Sequence, residues 1–198
     1  MEELSIEEKS LLKRAIKNLM LPNNLIHIDM DGEKNLYITD GYIMHKISSM
    51  SLYKDISVGN YRYYGGTLTP TNKNMPNYKH KRPTTYNYTY YVIDRVPLDC
   101  IPIVVSKYIL PKRYVISPAL FVRATRGIIV DQKNAQSITI GVAKVGGTPR
   151  CIVHIPIDCC LYRWEIYLSP IDLGHMHVNQ IEGEVNYNHI SNPPHLHT

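Results

Sequence analysis

The sequence predicts an α+β protein of two half-units, each with a helix packed on antiparallel sheet. Three observations support this fold class. A capped helical pattern opens the chain, a second helix start lies near residue 117, and short apolar segments separated by turn residues follow each helix. The chain has 198 residues, of which 44% are hydrophobic and 20% charged. This composition indicates a folded chain with one core or two small ones.

The first helix is predicted over residues 5–20. Ser5 and Glu8 form an S-x-x-E capping box, and Pro22 ends the segment. Apolar residues fall on one side at helical spacing, and these are Leu11, Leu12, Ala15, Ile16 and Leu19. Cations recur on another side, and these are Lys9, Lys13, Arg14 and Lys17. The basic stripe is either a solvated helix face or a track for phosphates.

Strand patterns follow this helix. Residues 26–30 alternate between apolar and polar side chains, which is the period of a half-buried strand. The pair Asp31-Gly32 predicts a tight turn, so that residues 26–30 and 36–38 form a hairpin. Two further segments are predicted in this half of the chain, a strand at 61–68 and a loop at 69–77.

The second helix is predicted over residues 118–126. Ser117 is a typical N-cap, Pro118 suits the first helical position, and Gly127 is a typical stop. Apolar segments separated by turn residues then predict four strands, at 128–131, 137–143, 151–157 and 162–168.

The repeated order of a helix and then strands predicts the domain organisation. A first half-unit spans 1–74, a linker-like loop 75–85, a second half-unit 86–182 and a C-terminal tail 183–198. The pairs Gly65-Gly66 and Gly146-Gly147 are predicted turns, because neither is followed by the Lys and Ser/Thr of a phosphate-binding loop.

Positive charge is concentrated in the middle of the chain. Residues 54–126 carry 12 basic and 3 acidic side chains, a net charge of +9, whereas 1–53 (6 and 8) and 127–198 (4 and 6) are each −2. The cluster Lys79-His80-Lys81-Arg82 lies in this segment, among tyrosines at 78, 86, 88, 90 and 91. Cations mixed with rings are typical of single-stranded nucleic acid binding, and alternating tyrosines are equally typical of an edge strand.

Two motifs resemble segments of the DNA sliding clamps of bacteria and phages, the polymerase β-subunit family. Residues 39–45 (TDGYIMH) resemble the family's T-D-G-H-R-L segment and follow a predicted helix and hairpin, as in the family. Residues 75–78 (MPNY), followed by Pro83, resemble the F-P-[DN]-Y…P linker between clamp domains. The resemblance covers roughly residues 5–83, and Tyr42 and Ile43 stand where the family usually has His and Arg.

The resemblance implies a clamp-like, non-catalytic protein without a cofactor. Clamp helices face the DNA, so the expected partners are DNA, bound independently of sequence, or replication proteins, and a homo-oligomer is expected. The predicted DNA-binding residues are Lys9, Lys13, Arg14, Lys17, Lys79, Lys81, Arg82, Arg123 and Arg126.

One alternative is a structural or host-interaction protein of a virus or phage. The chain has 16 tyrosines against one Phe and one Trp, and tyrosine is favoured at protein interfaces. A tyrosine-rich surface would then make the protein contacts.

Another alternative is a metal-dependent phosphatase or nuclease. Residues 25–32 (LIHIDMDG) resemble the nucleophile loop of haloacid-dehalogenase-type phosphatases, in which two aspartates act and hold magnesium. Here the loop leads directly into another strand, which favours Asp29 as a strand residue and Asp31 as a turn residue. The His175-x-His177 pair could bind zinc with help from His154, Asp158, His189, His195 and His197, but no fixed metal motif is present. No catalytic or metal site is therefore predicted.

The remaining composition favours a cytoplasmic protein, in the host cytoplasm if the source is a phage or virus. No apolar run approaches the roughly 18 residues of a membrane span, and the start of the chain lacks signal-peptide character, so no membrane partner is expected. The cysteines at 100, 151, 159 and 160 form no C-x-x-C pair, which argues against a disulfide framework and a zinc knuckle.

Overall fold

The fold was obtained as a computed structural model and consists mainly of antiparallel strands with short helices, an α+β arrangement. It describes residues 6–21, 24–48, 57–73, 86–128, 138–145, 150–158, 163–173 and 190–191. The chain divides into two compact units. Unit 1 comprises Met1–His80 and Ile157–Ile166, and unit 2 comprises Lys81–Pro156 and Tyr167–Thr198. Within the described residues, no helix is both long enough and apolar enough to cross a membrane.

Unit 1 contains one described helix and an antiparallel sheet. The helix is α1 (Ile6–Lys17), and the first five strands are β1 (Leu25–Met30), β2 (Leu36–Thr39), β3 (Ile43–Ile47), β4 (Gly59–Tyr64) and β5 (Thr67–Pro70). A sixth strand comes from much later in the chain, since most of β10 (Arg163–Leu168) belongs to this unit. The strand order is β10-β3-β2-β1-β4-β5.

Unit 2 contains a second set of antiparallel strands and two short helices. Its helical elements are α2 (Ile101–Val104), which continues as a π-helix over Val105–Ile109, and α3 (Pro118–Thr125). Its strands are β6 (Thr89–Ile93), β7 (Tyr114–Val115), β8 (Ile138–Val145), most of β9 (Arg150–Asp158), β11 (Ile171–Asp172) and β12 (Ile190–Ser191). The strand order is β12-β6-β8-β9, and β7 pairs separately with β11.

Both predicted helices are present, and α1 ends three residues earlier than expected. The Leu19 amide bonds to the Ile16 carbonyl (3.2 Å), which tightens the last turn, and the next amides find a partner outside the helix. The start of α3 is as predicted. The Ser117 side chain accepts a bond from the Leu120 amide (3.4 Å), and Gly127 adopts a φ of 68° just after the helix.

The strand predictions are mixed. The hairpin of residues 26–38 is confirmed, with Met30 paired to Leu36 next to the turn. The single strand at 61–68 is wrong: Gly65 and Gly66 have φ values of 58° and 91° and form the turn of the β4–β5 hairpin. Strands β8, β9 and β10 lie where strands were predicted, whereas β3 and the helical segment at 101–109 were not predicted. Most of the predicted strand at 128–131 lies outside the described residues.

The Asp40 carboxylate joins the end of α1 to the β2–β3 turn. Asp40 is nearly fully buried. One carboxylate oxygen accepts bonds from the amides of Met20 (2.5 Å) and Leu21 (3.0 Å), and the other from those of Tyr42 (2.9 Å) and Ile43 (3.0 Å). Four backbone donors that neither a helix nor a strand satisfies therefore share one acceptor group.

Removing this carboxylate should destabilise unit 1. We expect Asp40→Ala to lower the free energy of unfolding by at least about 2 kcal/mol, because it leaves four amides without their acceptor. Asp40→Asn should cost less, since its amide keeps one accepting oxygen. Urea denaturation measures both variants, and Glu33→Ala, an exposed site in the same unit, should stay within about 0.5 kcal/mol of wild type. Equal stability of Asp40→Ala and wild type would contradict this role.

Candidate nucleic-acid interface

The outward face of α1 is basic. From Ser10 to Lys17, the exposed side chains are one serine and three cations, Lys13, Arg14 and Lys17. The apolar side chains of the same turns, including Leu12, Ala15 and Ile16, are buried in unit 1. The predicted amphipathic pattern is therefore confirmed for these residues. The backbone of Lys9 belongs to α1, but its side chain lies outside the described part.

Position in the helix offers a structural reason for part of this charge. Arg14 and Lys17 lie in the last turn of α1, where the helix dipole favours cations. That effect is worth roughly 0.3–1 kcal/mol per charge at an exposed site. Lys13 lies in the turn before, so the dipole accounts for less of its placement.

The other predicted cations belong to unit 2 or fall outside the described residues. Arg123 lies in α3 and Arg126 follows it directly, and both side chains are exposed. Lys79, Lys81 and Arg82 lie outside the described residues, so their predicted role stays a prediction.

The motif that resembles the sliding clamps forms a rigid turn between β2 and β3. The Thr39 hydroxyl donates to the Ile43 carbonyl (2.7 Å) and accepts from the Gly41 amide (3.0 Å). Gly41 has a φ of 92°, a conformation that strongly favours glycine. Tyr42 projects from the tip of this turn, and 46% of its surface is exposed. Each residue of the T-D-G segment thus has a structural role of its own.

The two aspartates of the phosphatase-like segment lie where the strand-and-turn interpretation predicted. Asp29 lies in β1, opposite Tyr37. Asp31 organises the following turn, since its carboxylate accepts bonds from the Asn35 amide (2.9 Å), the Asn35 side chain (2.9 Å), the Tyr37 hydroxyl (2.8 Å) and the Glu33 amide (3.0 Å). Partial burial alone would raise the pKa of Asp31, but these bonds outweigh it and lower the pKa to about 2.

Unit 2 contains a cluster of rings around His154, which sequence reasoning did not predict. The His154 ring stacks on Tyr167, with centroids 4.6 Å apart and planes within 10°. Its Nδ1 is hydrogen-bonded to the Tyr90 hydroxyl (3.0 Å), and Tyr88 lies against the same ring at 5.1 Å. Two of the tyrosines expected to offer free stacking surfaces thus pack within the protein.

Gly141 makes this cluster possible. It lies opposite Tyr90 on one side and opposite His154 on the other, in the middle strand of three. A Cβ at Gly141 would lie 2.7 Å from the Tyr90 ring. The missing side chain therefore leaves the space through which Tyr90 reaches across β8 to His154.

A second buried histidine lies in unit 1. His45 has no exposed surface, and its Nδ1 accepts a hydrogen bond from the Trp164 indole nitrogen (3.0 Å). That bond places the proton of the neutral ring on Nε2, which has no hydrogen-bond partner among the described residues. Burial lowers the pKa of His45 to about 3, so the ring is neutral at pH 7.

The described residues contain no group of three or more His, Cys, Asp or Glu side chains that could hold a metal ion. His154, one candidate ligand, is held in the ring cluster. The other histidines of the zinc hypothesis, His175, His177, His189, His195 and His197, lie outside the described residues.

Comparison with known proteins identifies no family for this chain. No protein-family model matches the chain, and no curated protein matches it. The resemblance to sliding clamps therefore depends on the two motifs, their order and their place after a helix and a hairpin.

Stability should fall with acid in a way that depends on His45. In the unfolded chain the ring has its ordinary pKa near 6.5. Between about pH 6.5 and pH 3 the unfolded chain therefore binds a proton that the folded protein does not bind. We expect stability to fall in that window, by up to about 1.4 kcal/mol per pH unit. Asp31 adds a further loss only between about pH 4 and pH 2, as its carboxylate is protonated.

Urea titrations from pH 7 to pH 4.5 check this. His45→Asn keeps an acceptor for the Trp164 indole and does not titrate, so its stability should depend less on pH. Equal slopes in wild type and His45→Asn would contradict the assignment.

Gly141→Ala should destabilise unit 2 by about 1–3 kcal/mol, because the new methyl group meets the Tyr90 ring. Removing that ring should relieve the conflict. The same substitution in a Tyr90→Ala background should therefore cost clearly less, and thermal melts of the four proteins give the coupling energy. If the destabilisation by Gly141→Ala and that by Tyr90→Ala simply add in the double variant, the Tyr90 ring is not the reason that residue 141 must be glycine.

Proposed function

We propose that the protein binds DNA without catalysis, through the basic face of α1, as a short clamp-like relative of the sliding clamps. The observation that carries the proposal is the outward face of α1, where Lys13, Arg14 and Lys17 are the exposed charges between Ser10 and Lys17. Cations in this arrangement bind phosphates and release counterions, and such binding is independent of base sequence.

The spacing of the cations suits a line of phosphates. Lys13 and Lys17 are four residues apart, so they lie within about 40° of one another around the helix and about 6 Å apart along it. The buried side of α1 holds the helix in unit 1, so the two lysines are presented by a fixed support. A charged face on a rigid element loses little backbone entropy on binding.

The clamp-like part of the proposal is that the two helix-and-strand half-units belong to one architecture in which both helices face DNA. Support comes from the T-D-G turn after α1 and from α3, which begins at the predicted cap and carries Arg123 and Arg126 at its end. In this proposal the protein acts in the cytoplasm, binds DNA or replication proteins, and forms a homo-oligomer.

A second candidate is a structural or host-interaction protein. The observation that favours it is the exposure of large side chains in unit 1, where Tyr64 is 82% and Val58 59% exposed on or beside β4. Exposed rings and aliphatic side chains are common in protein interfaces. We rank it second because it rests on two exposed side chains, whereas the first candidate rests on three exposed cations of one helix.

Replacing Lys13 and Lys17 with Gln tests the first proposal. We expect weaker binding to every DNA sequence, and a plot of log K against log salt that is flatter by roughly 0.9 for each lost phosphate contact on duplex DNA. Fluorescence anisotropy at several salt concentrations measures both quantities. The fold should be preserved, since Lys and Gln have similar helix propensities.

A matched control separates this face from net charge. Lys73→Gln with Lys112→Gln removes two exposed lysines that do not belong to α1 and changes the net charge equally. It should leave the salt slope close to that of wild type. If both double variants lose affinity and salt slope equally, the net positive charge of the protein explains the binding. If the α1 variant binds DNA as wild type does, the proposal fails.

A further inference from the structure

We infer that the basic face of α1 and the Tyr42 ring together form a site for single-stranded nucleic acid, in which Tyr42 stacks on a base. This inference rests on the proposed function and specifies its substrate class. In the sequence Tyr42 is a departure from the clamp motif, and only the fold shows that its ring is exposed.

The Asp40 carboxylate brings the two parts of this site together. One oxygen binds the Met20 and Leu21 amides, just after α1, and the other binds the Tyr42 amide. Tyr42 therefore lies beside the segment that follows Lys17, the last cation of the helix. The backbone that carries the exposed Tyr42 ring and the backbone just after the cationic helix are thus bonded to the same side chain of unit 1.

The ring is exposed and its backbone is held firmly. Tyr42 is 46% exposed, and Met20, whose amide bonds to the same carboxylate, is 44% exposed, so a flat ring and a thioether are available to a ligand. The turn below is closed by the bonds of Thr39 and Asp40, so its backbone needs little further ordering on binding.

These features favour a single strand over a duplex. Bases in a duplex are already stacked on both faces, so a surface tyrosine has no base face to cover without unstacking. A single strand offers its base faces as well as its phosphates, and stacking on an aromatic ring combined with nearby cations is how such strands are commonly bound. Cations alone would not distinguish the two forms, because both carry phosphates.

The test compares Tyr42 with Tyr64, an exposed tyrosine at the end of β4 in the same unit. Fluorescence anisotropy would be measured with a labelled oligothymidine of about 12 nucleotides and a duplex of equal length. We expect Tyr42→Ala to weaken single-strand binding roughly 5- to 100-fold, with little change on the duplex. Tyr42→Phe should bind like wild type because stacking requires only the ring, and Tyr64→Ala should also bind like wild type.

In this comparison a loss of binding can be distinguished from a loss of folding. Asp40 binds the backbone amide of Tyr42 and not its side chain, so Tyr42→Ala keeps the turn, and its melting temperature should match that of Tyr42→Phe. If Tyr42→Ala binds the single strand as Tyr64→Ala does, the inference is overturned, and the proposed function stands as long as Lys13→Gln with Lys17→Gln still weakens binding. If the wild-type protein binds neither nucleic acid at low salt, the proposed function fails and the inference with it.

Discussion

Unit 1 depends on how the chain satisfies its backbone between the end of α1 and the start of β3. Where the chain leaves a helix, and where it makes a tight turn between strands, some backbone amides have no partner in the helix or in the sheet. Asp40 lies between these two places and accepts from both. Because the carboxylate is buried, its four bonds are protected from competition with water, so the position of the helix and the shape of the turn are set together.

This constraint changes how the resemblance to sliding clamps should be weighed. The segment T-D-G resembles a clamp motif, but each of its residues has a structural role that involves no ligand. The Thr39 hydroxyl closes the turn, the Asp40 carboxylate joins two segments, and Gly41 adopts a left-handed conformation. Any protein that links a helix to a hairpin in this way would favour the same three letters. The exposed Tyr42 is the residue of this turn whose side chain the fold does not require.

Local chemistry explains what could be predicted from the sequence. The start of α3 depends on Ser117 and Pro118, and the basic face of α1 on a helical period, so both are visible within a few residues. The ring cluster depends on Tyr90, Gly141 and His154, which become neighbours only through the pairing of three strands. Their positions in the sequence, 51 and 13 residues apart by their numbers, contain no periodic signal that could join them. The Gly65-Gly66 pair predicts the turn correctly, but the pattern around it predicts one strand where the structure has two.

The position of β10 late in the chain affects how unit 1 folds during synthesis. Trp164 bonds to His45, and Glu165 lies 2.9 Å from Lys46, so each pair closes a loop of 119 residues. A growing chain exposes the Met1–His80 part of unit 1 long before the last strand of the unit leaves the ribosome. Contacts over such distances form late and slow the search for the native state. Until then the apolar side chains that Trp164 and Ile166 would help to cover stay open to solvent, so synthesis and folding of this unit cannot finish separately from the rest of the chain.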